Sequence, residues 1–237
     1  MTPDQINRKT RRGFIAAGLA ATAAAGTFEW LRQSELQDGI PAPLRGVLEG
    51  NERTARAYFR QARRAKEFAP TLAREPRANG SAGLDAELEL DSWKLQVNDG
   101  ARLTLEDVYR LPKVEMVTEL HCIEGWSQIV QWTGVRFSDF TARYSPESAK
   151  AKYVSLDTPD GEYYVGLDME SAMHPQTLLC YEMNGSPLTS EHGAPLRLVI
   201  PVKYGIKNLK RIGTIRYSDS RPVDYWAERG YDWYAGL

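Results

Sequence analysis

The stretch VEMVTELHCIEGWSQIVQW, Val114 to Trp132, begins as an alternating strand. Val114, Met116, Thr118, Leu120 and Cys122 share one face; Glu115, Val117, Glu119 and His121 share the other, because successive side chains of a strand point to opposite sides. Such a strand delivers Cys122 to the point where its pairing ends. Gly125 permits a tight turn just beyond, and Trp126 and Trp132 supply rigid aromatic walls. A thiol at a strand end under aromatic cover suits a soft ligand to a metal, with room beside it for a cofactor and a substrate. A lone cysteine is most often a small buried apolar residue, and Cys122 in isolation indicates no more than that.

Outward from this stretch, 237 residues suffice for a substantial core, in one domain or one domain with a leader. The chain is 42% apolar and 26% charged with a formal net charge of -1, so its charge does not favour nucleic acid as a partner. Two cysteines, Cys122 and Cys180, exclude a disulfide scaffold and leave room for one disulfide. His121, His174 and His192 form no pair at helical spacing, which argues against a zinc hydrolase. No Gly-rich dinucleotide or Walker-type loop follows a strand. Glu124-Gly125-Trp126-Ser127-Gln128 lacks the second glycine of a nucleophile elbow, which argues against a serine hydrolase.

The pattern along the chain is one of short strands and short helices. Ser34 to Pro43 reads as linker, and Leu44 to Phe68 as a basic helix whose cations (Arg53, Arg56, Arg60, Arg63, Arg64, Lys66) form a solvated face, the alternative being a docking surface for an acidic partner or anionic lipid headgroups. Leu88 to Val97 alternates, Asn98-Asp99-Gly100 turns, and Thr104-Leu105-Glu106-Asp107 reads as a capping box opening a helix to Leu111. A helix is expected over Arg136 to Tyr144. Strands are expected over Tyr153 to Thr158, Glu162 to Leu167 and Leu178 to Met183, with a helical turn at Asp168 to Met173. Irregular interspersion of this kind points to an α+β domain with mixed β-sheets and short helices, not a doubly wound sheet.

His192-Gly193-Ala194-Pro195-Leu196-Arg197-Leu198-Val199-Ile200-Pro201 sets a guanidinium inside an apolar strand. An unpaired cation there costs several kcal/mol, so a partner is required: a carboxylate from a neighbouring strand, or a phosphate, whose geometry matches the fork of donors. Lys203, Lys207, Lys210 and Arg211 follow around Gly205, a spacing that permits an anion cradle. At the other end of the chain, Thr10-Arg11-Arg12-Gly13-Phe14-Ile15 resembles a twin-arginine export signal, preceded by Arg8 and Lys9. The Ala-rich run after it, ending at Ala25, is shorter than the roughly 20 apolar residues that span a bilayer. Ala23-Ala24-Ala25 offers a cleavage site, and Phe28, Trp30 and Leu31 fit a retained tether.

His121-Cys122-Ile123-Glu124-Gly125-Trp126-Ser127 resembles the cysteine loop of the sulfite oxidase-like molybdenum-cofactor oxidoreductases, and is most similar to the branch with the periplasmic methionine sulfoxide reductase catalytic subunits. His-Gly-Ala-Pro-Leu-Arg-Leu at 192–198, followed by Pro-x-Lys-Tyr-Gly-x-Lys-x-x-Lys at 201–210, resembles that family's pterin-phosphate segment. The likeness implies a sulfite oxidase-type molybdopterin-binding domain over 84–237, after a twin-arginine signal or tether (1–33) and a linker with a basic helical segment (34–83). It implies Mo-molybdopterin as cofactor, with Cys122 the protein's bond to molybdenum. Arg197 and Asn208-Leu209-Lys210 would contact the terminal phosphate. His192 stands where some relatives have asparagine. Thr158 resembles a cofactor-contacting threonine, Arg77-Ala78-Asn79-Gly80 an Arg-Asn loop folded over the pterin, and Asn51 an asparagine used similarly. Tyr225 to Tyr234 resembles the family's aromatic tail. By position, Glu124, Trp126 and Trp132 would line the substrate mouth, the first two counted with Cys122 as catalytic.

The expectation is therefore an exported, periplasmic enzyme of two-electron oxygen-atom transfer acting on a small molecule. Glu124 beside the metal would repel sulfite, which favours reduction of a neutral S- or N-oxide over a sulfite-oxidising enzyme of the same fold. No Cys-x-x-Cys-His haem motif occurs, so electrons come from a separate membrane or periplasmic partner, a haem protein in the reductase branch. The rivals are an exported non-catalytic anion-binding module and a thiol redox protein reacting through Cys122 itself.

Overall fold

A computed structural model describes residues 3–37, 39–84, 89–98 and 100–237, with side chains from residue 9 onward except Asp91. The expectations for Leu88, Asp99 and the side chain of Arg8 lie outside the described residues. Helix α1 (Pro3–Gln33) is almost wholly exposed. The apolar run expected to end at Ala25 continues within this helix, and Lys9–Gln33, 25 residues, is long and apolar enough by length and composition to cross a membrane. Strands β1 (Leu36–Gln37) and β2 (Ile40–Pro41) make a minimal hairpin where a linker was expected.

Helix α2 (Ala42–Tyr58) stops well before Phe68. Phe59 turns extended, and its ring packs edge-on against His174 and Tyr234. Beyond it the backbone finds tertiary partners instead of helical ones: Ala65 N–H donates to Gln176 Oε1 at 2.8 Å and Phe68 N–H to Val117 O at 2.9 Å. Two α2 charges are buried in the fold. Arg45 donates to Ala227 O at 2.7 Å, and Glu52 accepts from Arg221 at 2.7 Å.

The expected strand to Val97 is shorter than its alternation implied. A 3-10 turn (Leu90–Ser92) precedes β3 (Leu95–Val97), and Trp93 between them is buried, donating to Ile212 O at 3.1 Å. Strand β4 (Ala101–Leu103) leads to α3 (Leu105–Tyr109), opened by the expected capping box: Thr104 Oγ1 accepts from Asp107 N–H at 3.2 Å and Asp107 Oδ2 from Thr104 N–H at 2.9 Å. Strands β5 (Lys113–His121) and β6 (Ser127–Arg136) form a long hairpin. Then come α4 (Phe137–Tyr144), β7 (Tyr153–Asp157), β8 (Tyr164–Asp168), α5 (Met169–Ala172), β9 (Leu178–Met183), β10 (Ser186–Pro187), β11 (Arg197–Val199) and β12 (Thr214–Ser218).

The fold is α+β. One sheet runs β10-β9-β6-β5 with β11 also on β9, and the other runs β4-β3-β12-β7-β8. Every pairing is antiparallel except β3 with β12. The main core draws on both sheets: Val135, Leu179 and Leu198 from the first, Leu95, Val154, Leu167 and Ile215 from the second, with Phe137 and Phe140 of α4. Strand β9 buries both faces. Leu179 and Tyr181 enter this core, while Leu178, Cys180 and Met183 join a second cluster with Met116, Val130 and Trp132. The disulfide left open by the sequence is not formed, both cysteines being free thiols. Trp132 is likewise core, not mouth: it is 1% exposed.

Candidate active site

The β5–β6 hairpin carries the cysteine at its tip. His121 pairs with Ser127, and the five residues between them close through Cys122 N–H to Trp126 O at 2.9 Å and Gly125 N–H to Cys122 O at 3.1 Å. Gly125 takes φ +86°, the left-handed region that favours glycine. The strand's end therefore presents a half-buried thiol to a cavity of about 290 Å³. Across from it, the segment after β10 folds back tightly. Gly193 has φ +96°, and a Cβ there would lie 2.7 Å from Arg211 N, so only glycine brings His192 beside Lys210.

The structure gathers most of the sequence-predicted residues around this one cavity. Cys122, Glu124, Trp126, Arg77, Asn79, His192, Arg197, Asn208 and Lys210 all line it. The Arg77–Gly80 loop touches both the thiol and Lys210: Asn79 Nδ2 lies 3.7 Å from Cys122 Sγ, and Lys210 Nζ donates to Asn79 O at 2.8 Å. At the mouth, Trp126 Nε1 donates to Glu124 Oε2 at 3.2 Å, with the Arg77 guanidinium 5.9 Å from the indole centroid.

Three predicted residues stand elsewhere. Asn51 is exposed on α2 and does not line the cavity. Leu209 is a core side chain, 0% exposed, whose carbonyl accepts from Leu198 N–H at 2.9 Å. Thr158 is buried in its own turn: its hydroxyl donates to Asp160 Oδ1 at 2.6 Å and accepts from Tyr163 N–H at 3.1 Å. It shapes the cavity through Tyr163, a lining residue the sequence did not single out. Tyr163 donates to Ile206 O at 2.6 Å and accepts from Trp226 Nε1 at 2.9 Å, tying the wall to the C-terminal aromatic segment. Tyr163 follows the Pro159-Asp160-Gly161 turn like any strand-edge tyrosine, so nothing local could have marked it.

Arg197 is the decisive side chain. It is 3% exposed, donates to the carbonyls of His192 at 3.0 Å and Asn208 at 3.3 Å, and lies over Trp132 at 4.9 Å. Its Nε has no hydrogen-bond partner, and among the described residues no carboxylate pairs with it. Of the two partners the sequence left open, no carboxylate is found among the described residues. Burial pulls the guanidinium down to about 10. Lys210 is pulled down to about 8 by burial and then by Arg197, with Glu191 opposing. Burial also lowers His192, against its contact with Glu75 at 3.3 Å, which favours a neutral ring at neutral pH. Cations whose charge is penalised by desolvation, around one cavity, form a receptor for an anion.

Those residues fit molybdopterin. A soft thiol lines the cavity together with an orphaned guanidinium donor and a lysine, which a phosphate would complete. Among the described residues no cluster of three His, Cys, Asp or Glu could hold a metal ion. A metal here would be held by Cys122 together with the cofactor's own donors.

Residues 82–226 match the sequence model of the oxidoreductase molybdopterin-binding domain family. The chain belongs to this family. Relatives support the assignment. The chain is 36% identical over 158 residues to the protein-methionine-sulfoxide reductase catalytic subunit MsrP of Xanthomonas axonopodis pv. citri, covering 59% of this chain and 49% of that one. It is 31% identical over 180 residues to MsrP of Campylobacter jejuni, covering 66% and 60%. The chain thus spans about half the length of the relatives it matches. Among solved structures, the sulfane dehydrogenase SoxCD from Paracoccus pantotrophus shares the fold, with a TM-score of 0.52 at 22% identity over 68% of this chain and 46% of that one.

Proposed function

We propose that this chain is the molybdenum-binding catalytic subunit of an exported sulfoxide reductase, taking methionine sulfoxide or a similar neutral S-oxide (an N-oxide being the next candidate) and electrons from a separate redox protein. The observation that carries the reading is that one cavity is lined by both Cys122 and a buried Arg197 that has an idle donor and no carboxylate partner among the described residues. Cys122 would hold the metal, Arg197 and Lys210 the pterin phosphate, and the Asn79 loop the span between. When bound, the Mo-molybdopterin centre would supply two-electron oxygen-atom transfer.

The chain's own residues do the rest. Trp126 offers its indole face to a methylsulfinyl group, a sulfur–aromatic contact worth about 0.3–1.5 kcal/mol. Tyr163 and Trp226, locked to each other, keep that face of the cavity rigid. Glu124 places a carboxylate at the mouth, which disfavours a dianion such as sulfite and leaves a neutral oxide unaffected. The relatives named as methionine-sulfoxide reductase catalytic subunits support the substrate class and a partner subunit. The Arg11-Arg12 signal and α1 support export to the periplasm by the twin-arginine route, with α1 as a tether where it is not cleaved.

The test is molybdenum and pterin analysis of protein made in a cofactor-competent host, followed by dye-driven reduction of a panel of sulfoxides and N-oxides. We expect about one molybdenum per chain and turnover of methionine sulfoxide, with Cys122→Ala losing both by about a hundredfold or more. Metal-free protein from such a host, or a Cys122→Ala variant that keeps metal and activity, would defeat the reading and favour an anion-binding module.

A further inference from the structure

A second concavity, of about 200 Å³, lies behind the cysteine hairpin, and the activity just described does not use it. Arg60, Arg63, Arg64 and Lys66 line it with Tyr58, Phe59, Tyr234 and His121. These cations were expected on a solvated helix face. Because α2 ends at Tyr58, they instead follow an extended strap, and all four side chains are exposed. Among the described residues none of the four is within ion-pair distance of a carboxylate. On the floor, His121 Nε2 lies 3.7 Å from Glu119, which accepts from Ser127 Oγ. Arg60 donates to the carbonyls of Ala57 and Phe59 and Lys66 lies over Phe68, but these contacts neutralise no charge. Four like charges rimming an aromatic-walled hollow repel one another, and an acidic surface docking there relieves that repulsion.

The floor gives the hollow a direction. His121 lines this cavity, and its chain neighbour Cys122 lines the other, so one peptide link separates the two. The strap is also anchored onto β5 and the segment just before β9: Glu67 bridges Thr118, and Gln176 Nε2 donates to Ala65 O at 3.0 Å. A partner seated on it would be fixed relative to the cysteine.

We propose that the Arg60–Lys66 hollow is the docking site of the electron donor, a redox protein whose redox group is ringed by carboxylates, with His121–Cys122 as the covalent route inward. This rests on the reductase reading. Reduction of one sulfoxide consumes two electrons and two protons and releases a thioether and water; the donor is oxidised by two electrons in total, so a one-electron carrier docks twice per turnover. A membrane is the rival occupant, since anionic headgroups also meet cations, but a concave site one residue from the proposed metal ligand fits an electron carrier better than a flat surface.

The test uses the full chain loaded with cofactor. The probe is the soluble haem domain of cytochrome b5, an acidic carrier, and binding is followed by calorimetry across a salt series. We expect an affinity that falls with ionic strength, and a loss of about tenfold or more in the triple variant Arg60→Glu, Arg63→Glu, Arg64→Glu. Restoration is expected with lysine at all three positions, and no change with Arg102→Glu on β4. A glutamate variant that binds the cytochrome as well as the parent would overturn the proposal. So would charge-dependent binding seen only to phosphatidylglycerol vesicles and absent with phosphatidylcholine alone. Molybdenum content and dye-driven turnover of the parent are read on the same samples, so a failure of the reductase reading is told apart from a failure of the docking site.

Discussion

Arg197 and Lys207 belong to the same C-terminal segment, and both are hidden from solvent, yet the fold treats them in opposite ways. Lys207 is fully provided for. Its Nζ donates to Asp224 Oδ2 at 2.5 Å and to Gly166 O at 2.9 Å, and it stands 4.7 Å from the Trp233 ring. Asp224 in turn accepts from Gly166, Trp226 and Ala227 N–H groups, so the pair fastens the C-terminal segment to β8. Arg197 has two carbonyls, an indole face and one idle donor. One cation is complete within the chain, and the other keeps a donor with no partner among the described residues. We read the first as a structural charge and the second, because it also lines the cavity, as a binding charge.

The sharpest way to break that contrast is to delete each cation with an apolar side chain of similar reach. Lys207→Met strands a buried carboxylate, and we expect a loss of about 3–5 kcal/mol in urea unfolding of the cofactor-free protein. Arg197→Met removes a desolvated charge and leaves two carbonyls short of a donor. These effects oppose, and a net change within about 1 kcal/mol is expected. In the loaded protein the order reverses: Arg197→Met loses most of its pterin, by about thirtyfold or more at limiting cofactor, from one charge-assisted phosphate contact. Equal destabilisation of the cofactor-free protein by the two variants would erase the distinction.

The same contrast explains what could be read in advance. Alternation and turn chemistry are local, so the α+β class, the β5 strand, the capping box at Thr104 and strand β9 were legible from their residues alone. Two of the cavity's lining residues were legible too, because a cysteine before a glycine turn and an arginine in an apolar strand each break a local rule. What could not be read depends on tertiary partners. The end of α2 is set by Gln176 and Val117, which are distant in sequence and take up the backbone bonds of residues 65–68. Arg197 and Lys207 look alike in sequence, and only Asp224 tells them apart. Asn51, Leu209 and Thr158 were placed by likeness of short motifs, and short motifs carry no information about which way a side chain faces.

Lys210 gives a smaller effect with a sign that can be checked. Its folded value, about 8, lies below the ordinary 10.5, so between the two the unfolded chain binds more protons than the folded one. Its share of stability in the cofactor-free protein is therefore gained as pH rises through that window. Anion binding runs the other way, because the charge that attracts the anion is lost above about pH 8. Sulfate keeps a constant charge over this range and is the probe of choice. Its affinity should fall several-fold across pH about 8 in the parent and become nearly flat there in Lys210→Gln. Sulfate binding that does not weaken through this interval would remove Lys210 from the receptor.

The mouth should give the smallest effect, since its charges stand in water. Glu124 is exposed and accepts from Trp126 Nε1 at 3.2 Å, and Arg77 flanks the same indole. Unit charges about 4 Å apart interact by only about 1 kcal/mol in bulk water, and salt screens what remains over about 10 Å at 0.1 M. Replacement by glutamine keeps an acceptor for the indole N–H and removes the charge, so the wall holds while the field changes. For Glu124→Gln we expect sulfite to compete with sulfoxide about three- to tenfold more strongly at low salt, while KM for the neutral sulfoxide moves by less than about twofold. Added salt should shrink the first change and leave the second alone. If sulfite competes equally well with both proteins at low salt, the carboxylate plays no part in selection, and discrimination must lie deeper, between Trp126 and the thiol.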